Sequence, residues 1–150
     1  MRVGDICARR VVTVERRTSI RDAIALMRDQ HVGDVIVTEP HPSGEAPVGI
    51  LTDRDIVLEL LAREVDLDAV TCGDVMSYEL ATVEAEDEIL DAIEAMQTRA
   101  VRRLPVLGAN GELAGVLSLD DLVAALSEAI GGLWPVVRRQ QRIERKRRPD

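Results

Sequence analysis

The sequence predicts an α/β (α+β) fold made of two tandem copies of one small unit, each a small sheet with two helices, packed about a pseudo-twofold axis. Three observations predict it. The chain repeats itself at a fixed offset, each copy alternates short β-rich runs with segments of helical period, and the apolar content is almost wholly aliphatic.

The repeat is direct. An offset of 69 places Gly4-Asp5-Ile6 on Gly73-Asp74-Val75, Thr13-Val14-Glu15 on Thr82-Val83-Glu84, and Asp22-Ala23-Ile24 on Asp91-Ala92-Ile93. Met27 then matches Met96, Val32 matches Val101 and Val37 matches Val106. Beyond this the offset slips to 66, with Gly49-Ile50-Leu51-Thr52 on Gly115-Val116-Leu117-Ser118 and Asp55-Ile56-Val57 on Asp121-Leu122-Val123. The slip falls in Glu39-Pro40-His41-Pro42-Ser43-Gly44-Glu45, read as a hairpin loop, whose shorter counterpart Gly108-Ala109-Asn110-Gly111 carries an Asn-Gly turn signal. Loop tips are where a repeat tolerates insertion.

Each copy opens with a short turn and a brief strand, Val12 to Val14 or Ala81 to Val83. A helix follows, with Ile20, Ala23, Ile24 and Met27, or Ile89, Ala92, Ile93 and Met96, on one stripe. Two strands come next, Asp34 to Thr38 with Val48 to Leu51, and Arg103 to Leu107 with Leu113 to Leu117. A second helix begins near Asp53 or Leu119 and runs through Leu60 or Leu126. The first repeat thus occupies residues 1–65, a linker (Asp66 to Val70) and the second repeat 66–130, and a helical basic tail 131–150. Each unit alone would expose the apolar faces of its sheet and helices, so the copies are expected to pack on one another and to enclose two clefts.

At 150 residues and 46% hydrophobic content, the chain can bury a core without disulfides or metal. With no Phe, one Trp and one Tyr, aromatic stacking cannot dominate a ligand site. Cys7 and Cys72 lack zinc-ligand spacing and read as small buried hydrophobes of a reducing compartment. No apolar run is long enough for a membrane span, and no signal peptide is seen, so a soluble cytoplasmic protein is expected. Residues 136–150 hold seven basic side chains against two acidic ones, a net +5, which leaves −13 on the first 135 of the formal −8. An acidic body with a basic tail disfavours nucleic-acid binding by the body. His31 and His41 are the only histidines, and neither belongs to a Ser-His-Asp set; with no P-loop present either, no enzymatic activity is expected.

The stretches GILTDRDIV (Gly49 to Val57), VRRLPV (Val101 to Val106) and GVLSLDDLV (Gly115 to Val123), with VGDIC (Val3 to Cys7) and CGDVM (Cys72 to Met76), resemble the signatures of CBS domains. The resemblance covers about residues 1–130, in both copies and in order, and makes the chain similar to stand-alone pairs of such domains, Bateman modules that act as regulators. It implies an adenosine-containing ligand, such as AMP, ADP, ATP, S-adenosylmethionine or NAD, between the repeats, with no cofactor required. By the same resemblance Thr52 and Ser118 stand near phosphate, Asp55 and Asp121 near the ribose hydroxyls, and Thr13, Thr82 and the backbone of Asp34 to Ile36 and Arg103 to Pro105 at the adenine.

Elementary chemistry fits these roles. A glycine in the strand admits a ligand or another backbone, and the following helix start offers free N–H groups to an anion. A carboxylate can accept from two ribose hydroxyls. Thr52-x-x-Asp55 and Ser118-x-x-Asp121 are equally capping boxes serving the helix itself, and the pattern alone leaves both readings open. The copies also differ, so their two clefts should not be equal: Ile36 replaces Pro105, and Arg54, a cation beside the phosphate position of one cleft, replaces Asp120, whose charge would repel phosphate from the other and argues for a ligand of little charge there, or for none. Arg102 and Arg103 could compensate for Asp120 or stand as strand-edge charges.

In the tail, Trp134, Val136, Val137, Gln140 and Ile143 form one face of an expected helix that packs onto the body or across a dimer contact. The expected partners are therefore a nucleotide, a second copy of the chain and an unidentified protein. A ligand-free interaction scaffold is the alternative, and nucleic-acid binding through residues 138–148 a weaker one.

Overall fold

The computed structural model describes residues 1–147. Each repeat is a three-stranded sheet in which the first strand lies parallel to the second and the second antiparallel to the third. In the first repeat these are β1 (Thr13–Glu15), β2 (Asp34–His41) and β3 (Gly44–Thr52), with helix α2 (Ile20–Gln30) crossing from β1 to β2. In the second they are β4 (Val83–Glu84), β5 (Arg103–Leu107) and β6 (Leu113–Ser118), crossed by α5 (Ile89–Arg99). The short helices α1 (Val3–Ile6) and α4 (Cys72–Val75) precede the two units. Helix α3 (Asp53–Asp55) runs into a π-helical stretch Ile56–Leu61, while its counterpart α6 (Leu119–Gly131) stays α-helical, and α7 (Trp134–Arg147) ends the described chain.

Alternation along the strands builds two cores. Val35, Val37 and Leu51 meet Ile20, Ala23 and Met27 of α2 in one; Leu104, Val106 and Leu117 meet Ile89, Ala92 and Met96 of α5 in the other. Ile24, expected on the buried stripe, lies at its edge and is partly exposed. Both crossing helices end on a left-handed residue at equivalent positions, His31 (φ 56°) and Ala100 (φ 53°), where glycine is the usual choice.

The leading helices are exchanged. Val3 and Cys7 are buried in the core of the second repeat, and Cys72 and Met76 in the core of the first. Backbone bonds fix the exchange symmetrically: Gly4 N–H donates to the Ala85 carbonyl (2.8 Å) and Gly73 N–H to Arg16 (2.8 Å). Ala8 exchanges two bonds with Val116 of β6 (2.9 and 3.0 Å), and Ser77 N–H donates to Ile50 of β3 (3.0 Å). Gly49 and Gly115 serve this approach. A Cβ on Gly115 would lie 2.8 Å from the Ala8 carbonyl oxygen, and one on Gly49 would collide with Met76. Burial pushes the Cys72 thiol up to about 11.

Two expectations are corrected. Glu39 to Glu45 is not a loop: β2 and β3 extend through it as a paired ribbon, His41 against Gly44, leaving only a tight turn at Pro42-Ser43. Pro40 and Pro47 both fall on the turn side of a bulge between Val37 and Thr38, where the ribbon runs out beyond the pairing with β1. The tail is helical, and of its two expected contacts the one with the body does not form: Trp134, Val136, Val137 and Ile143 stay exposed, and Trp134 lies under the Arg138 guanidinium, 5.6 Å from the ring centre.

Because Met76 fills the core of the other repeat, Met76→Ala should destabilise the whole chain by about 2–5 kcal/mol. Urea unfolding followed by circular dichroism should still show one transition; two transitions, with only one shifted, would contradict the exchange.

Candidate functional site

Each β-strand that ends a repeat feeds straight into a helix, and the junction is a hydroxyl-carboxylate pair. Thr52 N–H donates to Asp55 Oδ2 (2.9 Å), and Asp55 N–H returns to Thr52 Oγ1 (3.1 Å). In the second copy Ser118 N–H and its hydroxyl both donate to Asp121 Oδ2 (2.9 and 2.6 Å), and Asp121 N–H donates to Ser118 Oγ (3.1 Å). Both pairs are therefore capping boxes. Each cap uses only Oδ2, and among the described residues no protein donor is bonded to Oδ1 of either aspartate. Capping and an outside hydrogen bond can thus coexist on one carboxylate.

Around these junctions the exchange opens two related clefts. The larger, about 710 Å³, has apolar walls from Ile50, Leu80, Ala81 and Val101 and polar groups Thr52, Arg54, Arg102 and Ser118. The smaller, about 240 Å³, is walled by the equivalent Val116, Val11, Val12 and Val32, with Arg10, Ser118 and Asp121. Asp34 and Arg103 line both. These two residues are equivalent under the repeat and form an ion pair with each other, Asp34 being mostly covered and Arg103 more open. Arg102 lies 4.0 Å from Asp120, both well exposed.

A family model for the CBS domain matches residues 3–62 and 72–128. The chain belongs to the CBS-domain family. Over 120 residues it is 34% identical to the CBS domain-containing protein YhcV of Bacillus subtilis, covering 80% of this chain and 81% of that one. An uncharacterized protein of Methanopyrus kandleri is 30% identical over 121 residues; the match covers 81% of this chain but only 60% of that protein's length. The CBS domain protein PAE2072 of Pyrobaculum aerophilum, solved in complex with AMP, superposes with a TM-score of 0.72 at 29% identity, covering 81% of this chain and 90% of that one. The chain is thus a regulatory CBS pair with the mixed fold of that family. Among the described residues, no helix is long and apolar enough to cross a membrane.

Within the pair, Asp34, Thr52, Arg54, Arg103 and Ser118 gather at the larger cleft, and Asp34, Ile36, Arg103, Ser118 and Asp121 at the smaller. Asp55 stands behind Thr52, bonded to it. Thr13 lies within β1 opposite Ile36, outside both clefts, and Thr82 faces a shallow groove along α5. Ile36 and Pro105 are buried on the sheet faces opposite their own cores. Arg54 and Asp120, read from the repeat as marking different clefts, open onto the same one, because the two helix starts converge at the pseudo-twofold axis. Ser77, Glu79 and Arg10 were missed: they follow the exchanged helices, and nothing local in the sequence reveals the exchange.

Removing either cap hydroxyl should cost about 0.5–2 kcal/mol. Thr52→Ala and Ser118→Ala, compared by urea denaturation, should lose similar amounts; a loss near zero for either would show that its cap is not formed.

Proposed function

We propose that this CBS pair is a non-catalytic sensor whose larger cleft binds an adenosine-containing ligand and thereby alters the module's contact with a partner protein. The observation that carries the reading is the coincidence, in one cavity of suitable size, of apolar walls, a strand-ending hydroxyl and a guanidinium with no ion-pair partner among the described residues, Arg54. The base would lie between Leu80, Ala81, Val101 and Ile50, with phosphate toward Thr52 and Arg54. Asp55 offers its spare Oδ1 to ribose. Likeness to the AMP-complexed Pyrobaculum protein supports the ligand class.

Calorimetric titration with AMP, ADP, ATP, S-adenosylmethionine and NAD tests this. At least one should bind, and Arg54→Ala should weaken it about tenfold or more, the value of a charge-assisted hydrogen bond. Asp55→Ala should also weaken binding at the larger cleft, and Asp121→Ala should report on the smaller. No heat from any of the five would leave the ligand-free scaffold, in which the caps serve only the helices.

We further propose a homodimer joined through the exposed apolar residues Ile130, Leu133, Trp134, Val136 and Val137. Sedimentation should show a dimer that becomes monomeric on deletion of residues 131–150; unchanged sedimentation would contradict this contact.

A further inference from the structure

The cavity of the proposed nucleotide site is lined by four carboxylates, Asp34, Asp53, Glu79 and Asp120, and three guanidiniums, Arg54, Arg102 and Arg103. Two helix starts converge on it, and each carries two aspartates in its first turn, Asp53 and Asp55 or Asp120 and Asp121, which offset the pull of the helix dipole on anions. Three of the four acidic groups stand where the other copy carries a basic one, Asp53 being the exception, with Leu119 at its equivalent position. Asp34 and Arg103 occupy equivalent positions and pair across the axis. Asp120 and Arg54 are likewise equivalent, and Asp120 draws Arg102 to 4.0 Å. Arg103 and Arg102 thus already have acidic partners, while Arg54 has no ion pair among the described residues.

From this arrangement we infer that the cleft selects by phosphate charge, accepting a nucleoside monophosphate and rejecting a triphosphate, with Asp120 as the residue that sets the limit. The inference rests on the nucleotide reading above. A monophosphate brings a charge of about −2, for which Arg54 is the cleft cation without an ion pair among the described residues. Each further phosphoryl group adds about one negative charge and extends toward Asp120 and the committed Arg102. At an effective dielectric near 20, a like charge within several ångströms costs roughly tenfold in affinity or more. Two copies with the same frame thereby acquire a site that neither copy has alone, one half-site supplying the phosphate cation and the other the barrier to additional charge.

The test is calorimetric titration of adenosine, AMP and magnesium-free ATP into the full chain and into Asp120→Asn, at low and at roughly 0.5 M salt. The wild type should bind AMP at least about tenfold more tightly than ATP, and Asp120→Asn should shrink that ratio about tenfold. Salt should narrow the wild-type ratio, because screening weakens the repulsion. If adenosine and AMP bind but ATP binds as tightly, or the ratio does not move in Asp120→Asn, charge selection is wrong and the nucleotide site stands. If neither adenosine nor AMP binds, the nucleotide reading fails and takes charge selection with it.

Discussion

The exchange of leading helices is the constraint from which the rest of the molecule follows. Neither core is complete without the other copy: Val3 and Cys7 close one, Cys72 and Met76 the other. Apolar side chains deposited in a neighbour's core bind the two units far more strongly than surface ion pairs such as Arg2 with Glu86 could. The glycines Gly49 and Gly115 exist in this setting to let the neighbouring backbone reach the last strand. The same backbone, continuing through Arg10 or Glu79, then becomes one wall of a cleft whose opposite wall belongs to the other repeat.

Interlocking also brings equivalent positions face to face at the axis, where identical residues would set like charges against each other. The chain departs from its own symmetry there, with Asp34 paired to Arg103 and with Arg54 and Asp120 opening onto one cleft. These departures make a nearly symmetric frame into two clefts of different volume and different charge. The hydroxyl-carboxylate caps are retained in both copies, since each helix needs its first N–H groups satisfied whatever occupies the cleft.

Much of this was legible in the residues. The offset of 69 slipping to 66 located the strands and the crossing and closing helices of the second copy from the first, because hydrophobic period and turn chemistry are local properties, while the short helices α1 and α4 read only as entry turns. The capping boxes at Thr52 and Ser118 were legible for the same reason. Three things were not. Pro40, Pro42 and Gly44 read as loop chemistry, yet pairing with β3 carries the strand to His41. Val3 to Ile6 read as an entry turn, and nothing in those residues shows against which repeat they pack. Arg54 and Asp120 looked like marks of separate clefts because convergence at an axis is a tertiary property, absent from either copy taken alone.

Native-state hydrogen exchange measures the interlock directly. The amides of Gly4, Ala8, Gly73 and Ser77, each bonded to the other repeat, should exchange with the same opening free energy as core strand amides such as those of Val37 and Val106. That free energy should equal the one for global unfolding. Rapid exchange at those four amides, or separate opening free energies for the two repeats, would contradict a single interlocked module.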